Sequence, residues 1–305
     1  MLYFNMPGTG LKAARIALGC MRLGEKSPEE VDAYLRAALE AGYNFFDHAD
    51  IYGGGKCEQV FGDGLKRLGI KREDVLIQSK CGIRPGRYDF SYEHIMSAVN
   101  GSLQRLGVDY LDMLLLHRPD TLMEPEEVAK AFDELQASGK VRYFGVSNQN
   151  SMQMQLLQKY VNQKLVANQL QFSPTNTTMI QSGINVNMEH GPAIDRDGSI
   201  LEYCRLNDIT IQPWSPFQYG FFEGLYLGNE KFPELNAAIN ELAELYGVTP
   251  SAIVIAWILR HPAKMQPIVG SVSAKRIGEI AKAADITLTR EQWYQIYRAA
   301  GNKIP

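Results

Sequence analysis

Short apolar runs alternate with helical segments along the whole chain, and this alternation most constrains what the chain can fold into. Strand-like runs lie within residues 11–21 (ending near 17–20) and at 43–46, 74–80, 111–117, 141–148, 165–170, 209–214 and 266–269. Helical segments fill the spaces between them. Ser27-Pro28-Glu29-Glu30 supplies a cap, a proline at the first helical position and an acidic first turn. Gly42, Gly69 and Gly139 stop the helices that precede them. The strand runs are nearly continuous in apolar residues rather than alternating. Such runs belong to strands buried on both faces, as in a parallel sheet. Eight β/α units in 305 residues predict a closed (β/α)8 barrel in a single domain, residues 1–305. A doubly wound sheet is the competing architecture. It would carry a glycine fingerprint after its first strand, and the turn after Leu18 offers only Gly19 and Gly24.

In a barrel of this kind, functional groups gather at the C-terminal ends of the strands. Those ends carry Asp47, Lys80, His117, Ser147-Asn148, Gln169, Trp214 and Gly270-Ser271. Tyr52 follows Asp47 by five residues and stands before Gly53-Gly54-Gly55. Any one of these placements could be accidental, with Lys80 a solvated rim residue or His117 a core histidine. Seven consecutive units delivering polar or aromatic groups to one face are a stronger signal. A phenol is a weak acid near neutrality, and an adjacent ammonium is expected to lower its pKa. Asp47 would hold Lys80 charged and oriented, and His117 could hydrogen-bond a substrate oxygen. The set suits protonation of an oxyanion as hydride arrives at its carbon.

The segments Asp47-His48-Ala49-Asp50-Ile51-Tyr52-Gly53, Ser79-Lys80-Cys81-Gly82, Leu115-Leu116-His117-Arg118-Pro119-Asp120 and Phe144-Gly145-Val146-Ser147-Asn148 resemble the aldo-keto reductase family, its bacterial members most of all. The resemblance implies a (β/α)8 barrel, NADP(H) bound without a Rossmann fold, and reversible reduction of aldehyde or ketone carbonyls. It also implies a catalytic set of Tyr52, Asp47, Lys80 and His117, with Tyr52 as general acid. Ser147, Asn148 and Gln169 would hold the nicotinamide carboxamide, and Trp214 the nicotinamide ring. Ser215 and Phe217 match a pyrophosphate strap. Gly270, Ser271, Arg276 and Glu279 match the adenosine end, where Ser271 and Arg276 would take the 2′-phosphate. Gly19, Cys20 and Met21 match the first-strand contact with the cofactor. Gly270 and Ile280 depart from the family pattern, which often has Lys and Asn there.

Composition limits the partners. The formal charge of −3 argues against nucleic acid or an acidic membrane surface, and no apolar run is long enough to span a bilayer. The N-terminus lacks the pattern of an export signal. Cys20, Cys57, Cys81 and Cys204 form no CxxC, so a reducing cytoplasm and no metal site are expected. Residues 173–197 show no periodicity and are expected to line or cover a substrate pocket. Two other readings stay open. One is a barrel that holds NADPH as a sensor or scaffold with little turnover, as the potassium-channel β subunits of the resembled family do. The other is a Schiff-base aldolase using Lys80. The set of Asp47, Tyr52, Lys80 and His117 weighs against both.

Overall fold

A computed structural model describes residues 1–304. Eight parallel strands form one sheet: β1 (Ala17–Gly19), β2 (Phe45–Asp47), β3 (Leu76–Cys81), β4 (Leu111–Leu116), β5 (Val141–Ser147), β6 (Leu165–Gln171), β7 (Thr210–Trp214) and β8 (Ile268–Val269). Each strand from β1 to β7 pairs with its neighbour in the chain, and β8 pairs with β1 through Ile268 opposite Ala17. Just ahead of β8, the Gln266 N–H donates to the Ile211 carbonyl of β7 at 3.0 Å. The sheet edges therefore meet, and the expected barrel is the observed one. All six residues of β4 are buried, as a strand covered on both faces requires.

Helices follow the strands and cover the barrel. The first, Pro28–Glu40, starts in a full capping box between Ser27 and Glu30. Helix Lys56–Leu68 approaches Tyr92–Leu106 so closely that a Cβ on Gly62 would lie 2.2 Å from the Leu106 carbonyl oxygen. Only glycine allows that approach. The main core lies between strands and helices. A second cluster, including Met6, Ala17, Phe45, Met113 and Ala167, fills the barrel where the N-terminal hairpin Tyr3–Asn5/Lys12–Ala14 closes it. Among the described residues no single helix is long and apolar enough to cross a membrane.

Residues 173–197 correct an expectation. They hold a short helix, Thr178–Ile184, and a 3₁₀ turn, Gly191–Ala193. These elements are too short to show a helical period in sequence. The Thr177 hydroxyl donates to Asn302 Oδ1 at 2.7 Å, and the Asn302 amide donates to the Pro174 carbonyl at 3.1 Å. The first part of the segment, Pro174 to Gln181, is thus fastened to Asn302. Two short hairpins occupy the barrel mouth: Ile83–Arg84/Arg87–Tyr88 after β3, and Gln218–Tyr219/Gly224–Leu225 after β7.

Candidate active site

Strand register brings the charged residues together. Gly19 lies opposite Asp47, and Asp47 opposite Gln78, so Lys80 stands two residues further toward the same end. The His117 N–H, just past β4, donates to the Cys81 carbonyl at 2.9 Å. Lys80 is fully buried. Its ammonium donates to Asp47 Oδ2 at 2.8 Å, to the His48 carbonyl at 2.7 Å and to the Tyr52 hydroxyl at 3.1 Å. The ammonium has three protons, and all three are used.

Tyr52 is held there by its turn. Gly53, Gly54 and Gly55 follow with φ of 58°, 63° and 93°, a left-handed path that side chains with a Cβ resist. The chain can therefore leave Tyr52 sharply and enter helix Lys56–Leu68. The edge of the Tyr52 ring meets His117, with ring centroids 5.9 Å apart.

Asp47 is the hub of an amide network inside the barrel. The side-chain amides of Gln78 and Gln169 both donate to Asp47 Oδ1. Gln78 also donates to Gln212 Oε1 at 3.0 Å, and Gln212 donates to Gln266 Oε1 at 2.9 Å. Gln266 in turn donates to the Ala14 carbonyl at 2.8 Å. Reading the sequence for strand ends misses Gln78, Gln212 and Gln266. The available signal was a glutamine inside three otherwise apolar strand runs.

Charge states follow from burial and neighbours. Burial alone would lower the Lys80 pKa, but Asp47, Tyr52 and their hydrogen bonds together carry it upward. Burial raises the Tyr52 phenol, and the Lys80 ammonium opposes this only in part. The expected lowering of the Tyr52 pKa is therefore corrected: the ammonium pulls downward, and loss of water outweighs it. Burial, then Lys80 and Arg118, push His117 well below the usual imidazole range, so its ring is neutral.

A cavity of about 490 Å³ opens over these residues. Of the residues singled out in the sequence, Gly19, Met21, Asp47, Tyr52, His117, Ser147, Asn148, Gln169, Trp214, Ser215, Phe217, Gly270, Ser271 and Arg276 line it. Lys80 lies behind Tyr52. Cys20 is buried in the core, and Glu279 stands away from the wall, 3.9 Å from Lys275. No residue between 173 and 197 lines the cavity. That segment supports the wall from outside, where the Thr175 hydroxyl donates to the Gln218 carbonyl at 3.2 Å. Arg22, Ile51, Ile83, Arg118, Phe222 and Leu225 also line the cavity, and strand-end reasoning passed over them.

The wall offers what a nicotinamide dinucleotide needs. Gln169 commits its NH₂ to Asp47 and Gln212, so its carbonyl is left as an acceptor for an amide donor. Asn148 gives one N–H to the Ser147 hydroxyl at 2.7 Å and keeps a second. One acceptor and one donor match a primary carboxamide. The Trp214 indole N–H donates to Asn148 Oδ1 at 3.1 Å, and Phe222 stacks on the indole with centroids 5.9 Å apart. At the far end, Ser271 and Arg276 lie where helix Ala274–Ala281 begins, and Arg276 forms no ion pair among the described residues. A helix start beside a free guanidinium suits a phosphate.

His48 gives this region a pH signature. It is fully buried against Phe61, neither ring nitrogen meets a partner, and burial with Lys80 lowers its pKa to about 3. In the unfolded chain it titrates near ~6.5. As pH falls below that value, the unfolded chain takes up a proton that the fold refuses. Stability is therefore lost toward low pH, at up to about 1.4 kcal/mol per pH unit. Asp50 acts in the opposite sense. Burial and Glu58 raise it to about 7, so its contribution falls as pH rises toward that value. Urea unfolding between about pH 7 and pH 5 should show that His48→Leu lowers the slope of stability against pH by about one proton relative to the parent, whose own slope also carries the opposing Asp50. An unchanged slope would mean that His48 is not held neutral.

Comparison with known proteins bears on the chain as a whole. Residues 15–300 match the model of the Aldo/keto reductase family. The chain is 36% identical to a 6-dehydroglucose reductase of Agrobacterium fabrum, over 96% of both chains. It is 34% identical to oxidoreductase YdhF of Escherichia coli, over 97% of both. The crystal structure of the thermostable aldo-keto reductase Tm1743, with the inhibitor epalrestat, superimposes with a TM-score of 0.79 at 26% identity, covering 98% of this chain and all of that one. The chain belongs to the aldo-keto reductase family.

Proposed function

We propose that the protein is an NADPH-dependent reductase that converts aldehyde or ketone carbonyls to alcohols, with Tyr52 as the general acid. The observation that carries this is the direction of one hydrogen bond. A protonated lysine can only donate, so Tyr52 accepts from Lys80 and must aim its own proton elsewhere. Tyr52 lines the cavity, where a carbonyl oxygen can receive that proton. The raised phenol pKa keeps the proton in place at neutral pH.

A bound nicotinamide would supply hydride to the carbonyl carbon. The chain's own groups do the rest. As Tyr52 gives up its proton, the Lys80 ammonium 3.1 Å away stabilises the phenolate through a strengthened, charge-assisted hydrogen bond. Asp47 keeps Lys80 charged. Neutral His117 can hydrogen-bond the same carbonyl oxygen and orient it. Gln169 and Asn148 would hold the carboxamide, and Trp214 the ring beside it. Ser215 has a left-handed backbone (φ 50°), and with Phe217 it would strap the pyrophosphate. Ser271 and Arg276 would hold a 2′-phosphate, which favours NADPH over NADH. The 6-dehydroglucose reductase relative makes sugar-sized aldehydes the first substrates to test. One barrel built from strands spread from β1 to β8 supports reading residues 1–305 as one working unit.

Two variants test this reading. Tyr52→Phe removes only the hydroxyl. Turnover should fall about 10²–10⁴-fold, while NADPH affinity measured by titration stays within a few-fold; parental turnover would remove Tyr52 from the chemistry. Arg276→Ala should weaken NADPH by about 10- to 100-fold, the size of a lost hydrogen bond to a charge, and leave NADH nearly unchanged. Equal weakening of both cofactors would make Arg276 a structural residue.

A further inference from the structure

Three arginines line the cavity, Arg22, Arg118 and Arg276, and none forms an ion pair among the described residues. The one carboxylate on the wall is Asp47, already neutralised by Lys80 at 2.8 Å. Arg276 stands at the far end beside Ser271, and Arg22 is exposed at the rim. Arg118 differs from both. It directly follows His117, so it stands at the reacting end, and it is half-buried.

The Arg118 guanidinium lies 5.5 Å from the Trp214 ring centroid and 6.0 Å from that of Phe221. These two rings flank it, and no ion pair holds it among the described residues. Asp120, two residues on, and Asp89, beside the Phe90 that Asp120 holds, are both engaged elsewhere. Asp120 accepts from the backbone N–H of Phe90 at 3.0 Å and of Leu122 at 2.9 Å. Asp89 accepts from Ser91 and pairs with Arg84 at 3.4 Å. A guanidinium presents five donors in a planar fork, and in an aromatic-walled, partly dehydrated site an anion is the partner that satisfies them best.

We propose that Arg118 selects the substrate, and that the preferred substrate is a carbonyl compound carrying a carboxylate. Its carbonyl lies at Tyr52 and His117 while its carboxylate takes the Arg118 fork. This rests on the reductase reading and narrows it to one substrate class. The competing role for Arg118 is purely a prop, a cation held on the Trp214 face. A prop would affect every substrate and the cofactor alike. A selector affects only the charged substrate, and mainly through KM.

The test compares 4-carboxybenzaldehyde with 4-formylbenzamide, which have nearly the same shape and differ in charge. With saturating NADPH, the parent should favour the carboxylate in kcat/KM by about 10- to 100-fold. Arg118→Gln should bring that ratio close to one, and Arg118→Lys should keep part of it. Calorimetric titration of the NADP⁺ complex with 4-carboxybenzyl alcohol should show the same loss of affinity in Arg118→Gln. A ratio that is equal in parent and Arg118→Gln overturns the proposal. So does a parallel fall for both aldehydes together with NADPH affinity. If the parent reduces neither aldehyde yet binds the carboxylate through Arg118, the reductase reading fails and the anion site stands. Carboxylate binding indifferent to Arg118 overturns the inference with or without turnover.

Discussion

A lysine ammonium with no exposure to water must be compensated on every side, and Lys80 is compensated by three acceptors. Stripping water from a charge costs several kcal/mol even in a relaxed protein. Asp47 repays that cost only because Gln78 and Gln169 hold its other oxygen. These four side chains come from β2, β3 and β6, and Gln212 of β7 ties the amides together. The ion pair therefore depends on barrel closure, because strands distant in sequence must meet inside it. The barrel's polar interior exists to serve the pair, since each glutamine would otherwise be an amide buried without purpose. The third acceptor of Lys80 is Tyr52, so the same constraint that stabilises the pair sets the direction of the phenol's proton.

The surrounding loops carry out separate tasks. The glycine turn after Tyr52 fixes the phenol. The hairpin after β7 brings Phe222 and Leu225 to the cavity, and residues 173–197 brace that hairpin from outside. Phe221 and Phe222 are 68% and 47% exposed, so the mouth is apolar where a substrate enters. Against that apolar rim the unpaired guanidiniums stand out, and Arg118 is the one placed beside the reacting groups.

Much of this was legible in the sequence, for physical reasons. Continuous apolar runs announce strands covered on both faces, and a barrel then fixes which end of each strand faces the site. Asp47, Lys80, His117, Asn148 and Gln169 could be placed that way. Gln78 and Gln212 could not, because whether a mid-strand amide points inward depends on register with its neighbours. Cys20 follows Gly19 by one residue and faces the other side of the sheet, toward the helices, which is why it misses the cavity. Glu279 lies three residues beyond Arg276, past the helix start that faces the cavity. The sign of the Tyr52 shift was misread because proximity to a charge is visible in sequence and the depth of burial is not.

The central claim is that Asp47, Lys80 and Tyr52 act as one proton-donating unit. A double-mutant cycle on kcat/KM tests it most directly, using Tyr52→Phe, Lys80→Met and the pair, each first checked for a native circular dichroism spectrum. Groups that act as a unit are strongly non-additive. The account predicts that the double variant is no slower than the slower single variant, because Lys80 has no phenolate to stabilise once the hydroxyl is gone. Losses that multiply would show Lys80 and Tyr52 acting independently and would contradict it.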